Sequence, residues 1–102
     1  MTVQNQLFEA VYYGTDLEFK FCENFYFINS GKIIQDNMSM HSITVYKSKK
    51  SFYEGENNDG CVMIYSSCQK NANDNTNTLF ETKIFEGKSL YEIIDFISDV
   101  SY

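Results

Sequence analysis

Near the end of the chain, Leu90, Ile93, Ile94, Ile97 and Val100 recur at i, i+3, i+4, i+7 and i+10, the spacing of one helical face, while Glu92, Asp95 and Asp99 fall on the other. Ser89-Leu-Tyr-Glu92 has the form of a capping box: the serine hydroxyl accepts from the backbone N–H of Glu92, and the glutamate reaches back to the N–H of Ser89. A two-sided C-terminal helix follows, and Gly87 just upstream allows a sharp turn into it. At the other end, residues 2–13 read as a helix capped by Thr2, with Val3, Leu7, Ala10 and Val11 as its stripe and Gly14 as the left-handed residue that ends it.

Between these helices the pattern shortens to a period of two. Leu17, Phe19 and Phe21 alternate with Glu18, Lys20 and Cys22, the signature of a half-buried strand. Glu23-Asn24 is a turn candidate, and residues 25–28 form a second strand, so residues 17–29 read as a β-hairpin. Residues 33–41 are ambiguous. Residues 43–47, ITVYK, are β-branched and aromatic and make a third strand. Phe52-Tyr53 extends or restarts the sheet, residues 54–60 form a polar turn, and residues 61–66 make a fourth strand. The Asn-rich run 69–77 reads as a solvated loop. Thr78-Leu-Phe-Glu81 is a second capping-box pattern that opens a short helix over 79–85, with a strand as the competing reading. The sum is a single α+β domain over residues 1–102, an antiparallel sheet of about four strands with an N-terminal helix and a C-terminal helix packed on one face.

Composition narrows the function more than the fold. The apolar fraction of 43% and aromatic fraction of 17% suffice for a core, so intrinsic disorder is not expected. No apolar run approaches a membrane span, and the first residues lack the basic and apolar regions of a secretory signal, so a cytoplasmic protein is the expectation. The net charge is −6, and all eight basic residues are lysines. Arginine is the usual bidentate reader of phosphate and guanine, so its absence with an acidic balance argues against nucleic-acid binding and for a basic protein partner.

Two segments, GTDLEFKFCENFYFINSG at 14–31 and KIFEGKSLYEIIDFI at 83–97, together resemble a loose group of small uncharacterised proteins of low-GC Gram-positive bacteria and their phages. The resemblance covers about a third of the chain by its turn, cap and core positions. It implies a compact α+β fold and a bacterial or mobile-element origin, and carries no active-site residue over.

Candidate chemistry is sparse. His41 is the only histidine, and no nucleophile motif surrounds Cys22, Cys61 or Cys68. Their spacings contain neither a zinc knuckle nor a disulfide framework, so reduced, partly buried thiols and no metal are expected. Asn71, Asn73, Asn75 and Asn77 alternate as calcium ligands do, but Thr76 stands where an EF-hand loop needs glycine and Thr82 where it needs a bidentate glutamate. Eight tyrosines exceed what such a core needs, and tyrosine is enriched at interfaces. Tyr26 and Tyr46 have opposite parity to Phe25/Phe27 and Ile43/Val45, which places both on the outer sheet face. The chain therefore reads as a non-enzymatic acidic protein-binding module, a stoichiometric inhibitor of a bacterial protein of the anti-CRISPR or toxin-immunity kind, without cofactor, nucleic-acid or membrane contact. Its expected partner-binding residues are Glu92, Asp95 and Asp99, the loop acids Glu54, Glu56 and Asp59, and Tyr26 and Tyr46. A protein that self-associates into a homodimer through a sheet edge or face is the alternative, and a Cys/His enzyme a further one.

Overall fold

The computed structural model describes residues 2–53 and 61–102. The elements run α1 (Val3–Tyr13), β1 (Leu17–Phe21), β2 (Asn24–Gln35), β3 (Met38–Ser48), β4 (Val62–Gln69), α2 (Ala72–Glu81), α3 (Leu90–Ile93) and β5 (Ser98–Ser101). The strands form one antiparallel sheet in the order β4-β3-β2-β1-β5. The helices lie on one face, where Leu7 and Val11 of α1, Leu79 and Phe80 of α2, and Leu90 and Ile93 of α3 meet Leu17, Phe19, Ile28, Ile43 and Val45. No helix among the described residues is long and apolar enough to cross a membrane.

α1 begins and ends where its caps dictate. The Thr2 hydroxyl accepts from the backbone N–H of Asn5 at 3.2 Å. Gly14 stops the helix at φ +82°, and a Cβ there would stand 3.1 Å from the Gly31 Cα, so glycine answers both the left-handed backbone and the close approach of α1 to β2.

The β1–β2 and β2–β3 hairpins close through two-residue turns, Cys22-Glu23 and Asp36-Asn37, with all four residues at positive φ, the geometry of type I′ turns. The first turn falls one residue earlier than the sequence suggests. The ambiguous residues 33–41 become the distal half of the second hairpin, whose strands are far longer than the short apolar runs imply.

Three expectations are corrected. Among the described residues the sheet has five strands, because the chain turns back after Phe96 and residues 98–101 pair with the otherwise open side of β1. The C-terminal helix is correspondingly short. Its capping box forms, with Glu92 N donating to Ser89 Oγ at 3.3 Å and Ser89 N to Glu92 Oε1 at 3.0 Å, but α3 ends at Ile93, and Ile94 and Ile97 are only half-buried. The Asn-rich run is a helix, not a loop: Asn71 caps α2 by accepting from Asp74 N at 3.0 Å. Its inward face begins with the polar pair Asn75 and Thr76, so hydropathy hides it, and it closes at Glu81, where a helix over 79–85 was expected to be under way.

The outer sheet face is covered in part by residues 51–53. Phe52 stacks on Phe27 at 4.9 Å between centroids, and Tyr53 meets Phe27 edge-on at 6.0 Å. A buried carboxylate holds this cover down. Glu18, 2% exposed, accepts from Ser51 Oγ and from the Phe52 backbone N–H, each at 2.6 Å. The polar turn expected at 54–60 lies outside the described residues.

Replacing Glu18 with Ala leaves the Ser51 hydroxyl and the Phe52 N–H without their acceptor, at an expected cost of about 1–3 kcal/mol in urea unfolding. Glu18→Gln keeps one acceptor oxygen and loses less. The first hairpin turn offers the opposite test, since neither Cys22 nor Glu23 is suited to positive φ. The double change Cys22→Asn, Glu23→Gly is expected to raise stability by about 1–2 kcal/mol. An unchanged or lower thermal midpoint contradicts the turn assignment.

Candidate functional site

The acids expected to form one binding stripe do not share a helix. Glu92 is engaged in the α3 cap and lies 3.6 Å from Lys83 Nζ. The Ser89 backbone N–H holds its carboxyl below the ordinary carboxylate range against the opposing effect of burial, and the Lys83 charge adds a smaller lowering. Asp95 lies beyond the last residue of α3, and Asp99 is in β5 at φ +52°. A shared helix face needs the helix to continue, and it does not. Glu54, Glu56 and Asp59 lie outside the described residues.

The two tyrosines part company. Tyr46 is on the outer face, half-buried, 6.1 Å from the Phe52 ring. Tyr26 is fully buried on the helix side, stacked with Phe19 at 5.5 Å and edge-on to Phe85 at 5.1 Å. The reason is register. In an antiparallel pair, directly opposite residues share a face, and β1 sets Leu17, Phe19 and Phe21 against Ile28, Tyr26 and Asn24. The inward alternation of β1 therefore dictates that of β2 and turns Phe25 and Phe27 outward. Either placement of a two-residue turn gives this parity, so the signal was present in the sequence.

Around Tyr26 the structure assembles a polar cluster that the sequence does not announce. Glu86, in a turn with Gly87 at positive φ, accepts through Oε1 from Lys47 Nζ at 2.6 Å, Tyr26 OH at 2.9 Å and Asn24 Nδ2 at 3.3 Å. The Lys47 hydrogen bond, then that of Tyr26, lowers the Glu86 carboxyl below its ordinary range. Burial, then the Glu86 hydrogen bond, raises the Tyr26 phenol well above its ordinary range.

His41 is committed to the fold. Asn75 Nδ2 lies 3.0 Å from Nδ1 and donates to the His41 carbonyl at 2.8 Å, while Asn75 Oδ1 accepts from Ser67 Oγ at 2.7 Å. The reverse amide orientation would set two oxygens against each other, so this network assigns Nδ1 as acceptor and Nε2–H as donor to Val11 O at 2.9 Å. Both ring nitrogens are thus taken. Cys68 pairs in register with Ser42, one residue beyond His41, and so faces the opposite side of the sheet. The thiols are less buried than expected: Cys22 and Cys68 are exposed, while Cys61 is half-buried and its thiol is pushed up by desolvation. Among the described residues no group of three or more His, Cys, Asp or Glu side chains is placed to hold a metal ion.

What the structure does present is an uncovered apolar surface. Among the described residues, residues 33–40 of β2 and β3 pair only with each other, beyond the ends of β1 and β4, and project as a two-stranded ribbon. Ile33 (41% exposed), Ile34 (69%) and Met38 (41%) lie on it. Alternation sets Ile33, Met38 and Met40 on the outer face, in line with Tyr46, and Met63 of β4 is exposed on the same side.

The Glu86 cluster makes stability depend on pH in two directions. A lowered carboxyl contributes fully above its unfolded pKa of about 4.3 and loses that contribution as pH falls through the folded value. A raised phenol contributes fully below about 10 and loses it as pH rises beyond. In thermal denaturation across pH, Glu86→Gln is expected to flatten the acid limb and Tyr26→Phe the alkaline limb. Limbs unchanged by either substitution contradict the assignment. Set beside known protein families, curated proteins and solved structures, the chain matches none of them.

Proposed function

We propose that this chain is a non-enzymatic, acidic protein-binding module that engages its partner through the β2–β3 ribbon and the adjoining outer sheet face. The observation that carries the reading is the exposure of Ile33 and Met38 on one face of a ribbon without flanking strands among the described residues. A lone two-stranded ribbon is marginal in water, and contiguous exposed apolar side chains mark contact surfaces. The half-buried Tyr46 and the exposed Met63 extend the surface, and aromatic residues and methionine are enriched in interface centres. The net charge of −6 supports a partner with a basic surface, because complementary fields speed encounter. The resemblance in residues 14–31 and 83–97 supports a bacterial or phage setting, where the module acts as a stoichiometric inhibitor of a bacterial protein, of the anti-CRISPR or toxin-immunity kind, inside the cell.

One observation favours a second reading. β4 is an outer strand of the sheet, and its sequence VMIYSSCQ carries no charge to deter pairing with another strand. A second copy joining edge to edge through β4 would make a homodimer.

The two readings separate in solution. The variant Ile33→Ser, Met38→Ser changes exposed positions and is expected to leave the thermal midpoint nearly unchanged. Affinity for a partner captured from a bacterial host is expected to fall by a factor of about a hundred or more, the scale of losing interface anchors. Association is expected to slow as salt rises. Full binding by the variant overturns the ribbon as the contact. A wild-type dimer in light scattering that a charged substitution in β4, Ile64→Lys, converts to monomer favours self-association.

A further inference from the structure

A cleft of about 310 Å³ opens at the foot of the ribbon on the helix side, opposite the proposed partner surface. Its walls come from separate parts of the chain: Tyr12 and Tyr13 at the end of α1, Lys32 of β2, His41 of β3, Lys70 after β4, and Ala72 in the first turn of α2. In a chain of net charge −6, no carboxylate among the described residues lines this cleft, while two lysines do. Lys32 and Lys70 are exposed, and neither takes part in an ion pair among the described residues. Asp74, in the same turn of α2 as Ala72, is not part of the wall. The aromatic side is equally particular. Tyr13 is 76% exposed, in edge contact with Tyr12 at 4.8 Å, which leaves a ring face open. The back of the cleft is rigid, because both nitrogens of His41 are held by Val11 and Asn75.

We propose that this cleft binds a small ligand carrying a phosphate on a flat ring, of the size of a nucleoside monophosphate. The phosphate lies between the ammonium groups of Lys32 and Lys70, beside Ala72 in the first turn of α2. The ring rests on Tyr13, where stacking tolerates any flat heteroaromatic. The volume is at the small end of ligand pockets, which suits one ring and one phosphate rather than a dinucleotide. The site is independent of the proposed protein-binding surface, since Lys32 and Ile33 alternate to opposite faces of the ribbon.

Amide chemical-shift titrations with adenosine monophosphate, inorganic phosphate and adenosine test the proposal on the intact chain. Saturable binding of the monophosphate is expected, with shifts centred on Gly14, Gly31, Lys32, His41 and Ala72. Inorganic phosphate and adenosine are each expected to bind about tenfold more weakly or less, as either lacks half of the recognition. Lys32→Gln with Lys70→Gln is expected to weaken the monophosphate about tenfold and leave adenosine unchanged, whereas Tyr13→Ala weakens both. All three positions are exposed, and an unchanged thermal midpoint verifies that the variants fold. Absence of saturation, shifts centred elsewhere, or monophosphate binding indifferent to the lysine pair overturns the site. Inorganic phosphate binding as tightly as the monophosphate overturns the role of the ring.

Discussion

The register of the first hairpin is the constraint on which the rest of this molecule depends. Once Cys22 and Glu23 close a two-residue turn, Phe19 must face Tyr26 and Leu17 must face Ile28, all on the side that α1 and α2 cover. Tyr26 then brings a phenol into the core, and Glu86 at the end of the Phe85 turn receives it. The same register turns Phe27 outward, where it needs a cover, and Phe52 supplies it under the tie of Ser51 and Phe52 to Glu18. Two acids on opposite faces, the buried Glu18 and the exposed Glu86, thus complete what one turn sets out.

The parts of the fold legible in the sequence are those governed by local hydrogen bonds. Thr2, Gly14 and the Ser89–Glu92 pair act within a few residues of themselves, so the ends of α1 and the start of α3 could be read directly. Where α3 ends could not be, because the apolar spacing of Ile94, Ile97 and Val100 continues after the backbone has left the helix for the open edge of β1. α2 escaped for a different reason. Its inward residues Asn75 and Thr76 are polar and satisfied by partners distant in sequence or by the preceding turn, so a hydropathy pattern registers a loop. The candidate site fared worst, since the acidic stripe assumed a helix that stops and the ribbon has apolar residues on both faces, with no periodicity to betray it.

The two faces of the sheet are finished by different means. On the helix side the interior admits a polar group at its border, the chain from Ser67 through Asn75 and His41 to Val11, and satisfies it with bonds between β4, α2, β3 and α1. Such a network is directional, so it fixes how the two longer helices meet the sheet in a way that apolar packing alone does not. Among the described residues the outer side has no helix, and aromatic residues from the sheet itself and from the segment after β3 cover only its centre. The remainder, toward the ribbon, is left to solvent or to another molecule.

The position of β5 has a kinetic consequence. Strands β1 to β4 follow one another in the sheet in chain order, so their pairing closes only short loops, whereas β5 joins β1 across almost the whole chain. Closing so long a loop carries the largest entropic penalty of any pairing here, and only four residues share in the reward. The meander therefore has every reason to zip first, with the C-terminal strand docking last and detaching first. Amide exchange along the open side of β1 would follow that local detachment and not the global unfolding of the core.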